Sequence, residues 1–101
     1  MIRVGIIGGA GYTAGELLRL LVNHPGVELG FVHSTSHAGD ALTEVHAGLD
    51  GQTGLRFCAE YDLQEVDVVF LCSAHGESRK WLAAQQLPES LRIIDLAQDF
   101  R

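Results

Sequence analysis

The sequence predicts an α/β domain, a doubly wound parallel sheet of about five strands. Three observations carry that expectation. A glycine-rich segment, Gly8 to Gly15, sits between an apolar run and a stretch with helical patterning. Short apolar runs then recur along the chain with helix-patterned segments between them, as parallel strands joined by crossover helices require. Finally, Val66 to Cys72 is almost continuously apolar, the pattern of a strand covered on both faces.

Length and charge bound the rest. A chain of 101 residues makes one domain with a real core and little room for a second. The formal net charge of -6, with no basic run, argues against nucleic acid or an anionic membrane as partner. Met1-Ile2-Arg3 leads straight into a strand-like run without a signal peptide, and no stretch approaches the roughly 20 apolar residues that span a bilayer. A soluble, cytoplasmic protein is expected. The two cysteines, Cys58 and Cys72, form no C-x-x-C, so neither a disulfide framework nor a metal site is indicated.

The elements follow in order. Ile2 to Ile7 is the first strand. From about Tyr12 to His24 the chain should be helical, because Ala14, Leu17, Leu18, Leu21 and Val22 fall on one face. Thr13-Ala14-Gly15-Glu16 has the form of a capping box, which makes Glu16 structural rather than catalytic. Pro25-Gly26 turns the chain into a second strand, Val27 to Val32, completing a β-α-β unit. Between Gly39 and Gly54, Leu42, Val45, His46 and Leu49 stand at helical spacing and suggest a short helix. His46 there is a polar or packing residue rather than a ligand, since no second ligand stands at metal spacing. Leu55 to Ala59 alternates like a short third strand, and Asp62 to Glu65 adds a helical turn. Val66 to Cys72 is the fourth strand, Glu77 to Gln86 a helix closed by Pro88, and Leu91 to Leu96 a fifth strand.

The chemistry concentrates at strand ends. A glycine-rich turn lets main-chain N–H groups approach an anion, and the helix start that follows adds unpaired N–H groups and a positive dipole end. Gly9-x-Gly11-x-x-Ala14 fits the dinucleotide fingerprint of a turn glycine, a glycine admitting the pyrophosphate and a small residue for close helix packing. Gly8-x-x-Gly11-x-x-Ala14 fits a neighbouring spacing equally well. At the end of the second strand an NAD site places Asp or Glu against the adenine ribose, whereas this chain has His33-Ser34-Thr35-Ser36-His37. Three hydroxyls and one or two imidazoles suit a 2′-phosphate, so NADP is favoured over NAD; the alternative is an ordinary polar loop. In an open α/β sheet the first and fourth strands meet at the topological switch point, so Ser73 to Gly76 should face Gly8 to Tyr12.

Four segments carry a resemblance: Gly8-Gly9-Ala10-Gly11-Tyr12-Thr13-Ala14-Gly15-Glu16-Leu17, Ser34-Thr35-Ser36-x-Ala38-Gly39, Val69-Phe70-Leu71-x-x-Ala74-His75-Gly76-x-Ser78 and Ile94-Asp95-Leu96-Ala97-x-Asp99-Phe100-Arg101. Together, in order and spanning nearly the whole chain, they closely resemble the start of the N-acetyl-gamma-glutamyl-phosphate reductase family, within the semialdehyde dehydrogenases. Three positions depart from that pattern: Ala14 stands for the usual glycine, His37 for a common arginine and Ala74 for a frequent proline. The resemblance implies a Rossmann-type domain and NADPH-dependent reduction of an acyl phosphate to an aldehyde in arginine biosynthesis. It implies thiolate attack, hydride transfer to the thioester and aldehyde release, with the nucleophilic cysteine and the histidine acid/base beyond residue 101. Residues 1–101 are then the NADP-binding domain, truncated before the catalytic domain, binding nucleotide without catalysing alone. A homo-oligomeric full-length protein and a small acyl-phosphate substrate follow from the same resemblance.

Cofactor-binding candidates are Gly8, Gly9, Ala10, Gly11, Tyr12, Thr13, Ala14, Ser34, Thr35, Ser36, Ser73, Ala74 and His75. His75 either lines the cofactor pocket or faces solvent as a cap. Arg101, in a family segment near the active site, would help hold an anionic substrate or else fray at the end of the chain. Cys72 stands at a strand end with His75 three residues on, but its apolar flank reads as an inert core thiol. No catalytic residue and no metal ligand is assigned. Three alternatives remain: a stand-alone NADP-binding regulatory module, the NADP domain of an aspartate-semialdehyde dehydrogenase, and a scaffold fragment that pairs through its sheet edge. Tyr12-Thr13 and Asp99-Phe100-Arg101 argue against the second.

Overall fold

A computed structural model describes residues 1–49, 53–73 and 77–96. Its strands are β1 (Ile2–Ile7), β2 (Val27–His33), β3 (Val68–Leu71) and β4 (Arg92–Asp95); its helices are α1 (Tyr12–Leu21), α2 (Leu42–Val45) and α3 (Glu77–Ala84), with single 3-10 turns at Ala47–Leu49 and Leu63–Glu65. The strands form one sheet in the order β2-β1-β3-β4, every neighbouring pair parallel. Because the chain passes from β2 back across β1 to β3, the switch point lies between the carboxyl ends of β1 and β3.

Alternation along each strand divides the core between the two faces of the sheet. On one face Val4, Ile6 and Val32 meet Ala14 and Leu18 of α1, Leu42 of α2, Leu49, Phe57 and Cys72. On the other, Ile7, Phe31, Val69 and Leu71 pack with Leu63 and Val66, and with partly buried Trp81 and Leu82 of α3. Ile6, Leu18, Leu42, Leu49, Val69 and Leu71 are fully buried. Helices on both faces make the fold doubly wound, as the apolar runs predicted.

Two local expectations are corrected. Leu55 to Ala59 does not add a ladder strand, so the sheet has four strands among the described residues. The segment instead makes isolated bridges, Cys58 with His33 and Arg56 with Ala41. Its hydrogen bonds go to the end of β2 and the loop beyond: Cys58 N–H donates to Val32 O at 3.0 Å, Ser34 N–H to Cys58 O at 3.0 Å and Gly39 N–H to Phe57 O at 2.8 Å. Nor does the capping box form. The N-cap is Gly11, extended at φ -79° and ψ 172° without a side-chain cap, so Thr13 already lies in the first helical turn. Glu16 turns instead to Arg19 at 3.7 Å.

A candidate dinucleotide cleft at the switch point

The turn out of β1 is set by two glycines with different tasks. Gly8 is left-handed, φ 77°, and a Cβ on it would stand 2.8 Å from the Cα and N of Ser73. Only glycine meets both demands without strain. Gly9 crosses the end of β2: its N–H donates to His33 O at 2.8 Å, and a Cβ there would fall 2.2 Å from Val32 Cγ1. Gly8 rather than Gly9 therefore makes the left-handed turn, which selects the register Gly8-x-x-Gly11-x-x-Ala14. Ala14, fully buried, lets α1 lie close on the sheet.

Gly11 is different. A Cβ on it would meet nothing nearer than Cys72 O at 4.0 Å, so the protein's own packing does not require the glycine. It borders a cleft of about 690 Å3 lined by Gly8, Ala10, Gly11, Ser34, Thr35, Ser36 and Ser73. Seven of the sequence-nominated residues thus share one space at the switch point. Gly9 lies buried beneath it and Ala14 in the core, while Tyr12 and Thr13 are exposed on α1 outside the lining. Ala74 and His75 lie outside the described residues, as do Asp99, Phe100 and Arg101.

The hydroxyl segment is unevenly free. Ser34 is buried, its Oγ accepting from His37 N–H at 3.3 Å and standing 3.5 Å from Ser36 Oγ. Thr35 and Ser36 are exposed and so better able to take a ligand. Of the two imidazoles, His33 lines the cleft and His37 does not; the His37 ring pairs with Asp40 at 3.3 Å. His33 Nδ1 is buried without a hydrogen-bond partner in the structure, and burial lowers the ring's pKa by disfavouring the charged form.

Further groups come from α3. Glu77, Lys80, Trp81 and Ala84, from successive turns of one helix face, and Gln85 just past its end complete the lining. Lys80 and Glu77 pair at 3.7 Å, so a carboxylate that reaches the cleft from this side arrives with its own cation. The Trp81 indole N–H donates to the Tyr61 hydroxyl oxygen, Oη, at 2.6 Å. Tyr61 in turn stacks on Phe31, centroids 4.9 Å apart, and meets His33 edge-on at 5.0 Å. These contacts tie Trp81, in the lining, into an aromatic wall with Tyr61, Phe31 and His33. Its signal in the sequence was the spacing Glu77-x-x-Lys80-Trp81-x-x-x-Gln85, which says which residues share a face but not what that face borders.

Cys72 also lines the cleft, yet burial first, and the nearby Asp95 carboxylate second, push its thiol up to about 11. A thiol that stays protonated is a poor nucleophile, in keeping with an inert core residue. Among the described residues no group of three or more His, Cys, Asp or Glu side chains gathers as a metal site, and no helix is long and apolar enough to cross a membrane.

Against known proteins, residues 3–101 match the family model described as semialdehyde dehydrogenase, NAD binding domain. The whole chain is 55% identical to an N-acetyl-gamma-glutamyl-phosphate reductase of Phocaeicola vulgatus and 54% identical to one of Bacteroides fragilis. It spans 31% of the length of each of these curated relatives. Among solved structures, an aspartate semialdehyde dehydrogenase with NADP from Candida albicans superposes with a TM-score of 0.75 over 99% of this chain and 30% of that one, at 18% identity. That likeness bears on the fold alone.

Proposed function

The chain belongs to the semialdehyde dehydrogenase family, as its NAD-binding domain, and from that premise we propose that it is the NADP-binding part of an NADPH-dependent reductase that converts N-acetyl-gamma-glutamyl phosphate to its semialdehyde. The observation that carries the nucleotide site is Gly11: a glycine that internal packing does not require, bordering a cleft beside an uncapped helix start. The donor set fits a dinucleotide. Main-chain N–H groups of the turn other than that of Gly9, which His33 O already takes, together with those at the start of α1, suit a pyrophosphate; the Thr35 and Ser36 hydroxyls, with Lys80 in the same lining, suit a 2′-phosphate; His33 Nδ1 offers a buried polar atom to a ribose hydroxyl. Ser73, against the glycine turn, borders the same space, and Ala74 and His75, outside the described residues, belong to the proposed site on the family resemblance alone.

When bound, NADPH supplies the hydride. This chain's residues hold and orient it: the glycine turn fixes the pyrophosphate, and the hydroxyl loop with the α3 face fixes the adenosine end. In the same proposal the acyl group is handled by a catalytic part beyond residues 1–101, as the relatives' greater length and names support. A cytoplasmic setting and a homo-oligomeric full-length protein belong to that proposal too, on the strength of the family resemblance.

The test is a calorimetric titration of the 101-residue chain with NADPH and, separately, NADH at low salt. Binding that favours NADPH supports the cleft and the hydroxyl loop together. A folded chain that binds neither nucleotide overturns the assignment of the site.

A further inference from the structure

We infer that His46 is a positioning residue for the phosphate turn, holding it from behind in the shape that receives the pyrophosphate; the inference rests on the nucleotide site proposed above. His46 Nε2 stands 2.7 Å from Gly9 O. The acceptor is a carbonyl, so the ring donates through Nε2–H, which fixes that nitrogen as protonated. Gly9 is thereby tied at both ends of one residue, its N–H to His33 O at 2.8 Å and its carbonyl to His46.

The chain makes room for the ring. Gly15, on the buried side of α1, would place a Cβ 2.7 Å from His46 Nδ1, so the imidazole fits only because that position carries no side chain. The ring's other neighbour is Phe57, centroids 6.1 Å apart and planes tilted by 59°. His46 itself closes α2, its N–H donating to Leu42 O at 2.8 Å, and Leu42 is fully buried. A buried side chain thus anchors the backbone that carries the ring, and the ring anchors the turn.

The consequence is energetic. Gly9 is buried, so without His46 its carbonyl loses a partner where water cannot readily replace it. The turn then relaxes toward shapes that satisfy the carbonyl, and nucleotide binding must restore the receptive one. His46 touches no ligand in this role. It acts through Gly9 on the N–H groups that do.

The experiment compares the unaltered chain with His46→Leu, His46→Gln and Gly15→Ala, measuring NADPH affinity by calorimetry and thermal stability by circular dichroism on the same samples. The expected result is an affinity loss of about tenfold, ~1.4 kcal/mol, in His46→Leu, largely restored in His46→Gln, whose amide can donate to the same carbonyl. Gly15→Ala should lose affinity by displacing the ring, and combining it with His46→Leu should add little, because both remove one contact. Unchanged affinity in His46→Leu, even with a lower melting temperature, overturns the inference and leaves His46 a packing residue. Equal losses in the Leu and Gln variants overturn it too. Failure of the unaltered chain to bind NADPH removes the site itself, a separate outcome visible before any variant is made.

Discussion

Replacing Gly11 by alanine separates nucleotide binding from folding more cleanly than any other single change in the turn. The backbone at Gly11, φ -79° and ψ 172°, is one that alanine adopts freely, and the added methyl meets only Cys72 O at 4.0 Å. Two small effects on stability oppose each other. Alanine is a poorer N-cap than glycine, at a cost of roughly 0.5–1 kcal/mol, while restricting the unfolded chain returns about 0.4–1 kcal/mol. The melting temperature should therefore move by no more than about 4 °C. Affinity should behave differently. A methyl group facing the cleft holds an anion away from the N–H groups around it, and losing one charge-assisted hydrogen bond costs about 1.5–3 kcal/mol, or roughly ten- to a hundredfold. Calorimetric titration with NADPH, alongside a thermal melt, reads both quantities. A stable Gly11→Ala chain that binds NADPH as tightly as the original would refute the reasoning, since it would mean that the ligand does not approach this part of the backbone.

Other perturbations have distinct signatures. Gly8→Ala combines a left-handed backbone, φ 77°, with a clash against the backbone of Ser73; a loss of about 2 kcal/mol or more should lower the melting temperature by roughly 10 °C, and a thermal melt within 3 °C or so of the original would contradict it. His33 should make folding pH-dependent. Its pKa is lowered in the folded state by burial, so the unfolded chain binds more protons, and stability is lost as pH falls through about 6.5 and levels off below the folded value; urea melts from pH 8 to 5 should show this slope, reduced in His33→Gln. Cys72, its thiol pushed up to about 11, should resist iodoacetamide at pH 8.5 in the folded chain and react on unfolding, with mass spectrometry counting the adducts; rapid labelling of the native protein would show the thiol to be accessible.

What the sequence made legible, and what it did not, divides along a physical line. β1, the glycine turn, α1 and β2 were readable because each imposes a local requirement: a short apolar run, a backbone only glycine adopts, a 3.6-residue stripe. Which glycine turns the chain was not readable, because Gly8 and Gly9 fit the fingerprint equally and only the crowding by Ser73 and Val32 separates them. Thr13 and Glu16 had the spacing of a capping box, but the extended backbone at Gly11 starts the helix earlier and leaves its N–H groups uncapped toward the cleft. Leu55 to Ala59 alternates like a strand, yet its backbone bonds to the end of β2, the loop after it and the start of α2 rather than joining the ladder. The α3 wall lay furthest from view. Lys80 and Trp81 reach the cleft only because parallel pairing of β3 with β1 brings the following helix over the switch point, and no local pattern encodes that placement. The sequence marks His46 as a polar or packing residue; its contact with Gly9 O depends on the same long-range closure.

The most direct test of the nucleotide cleft is an amide and indole chemical-shift map of the 15N-labelled 101-residue chain, titrated with NADPH at low salt. Binding at the cleft should move the amides of Gly8 to Gly11, those of Thr35 and Ser36, and the indole N–H of Trp81, the chain's one tryptophan, while Glu28 and Leu29 of β2 stay still. Shifts clustered away from these residues, or none at saturating nucleotide in a chain whose spectrum is that of a folded protein, would contradict the assignment of this cleft as the dinucleotide site.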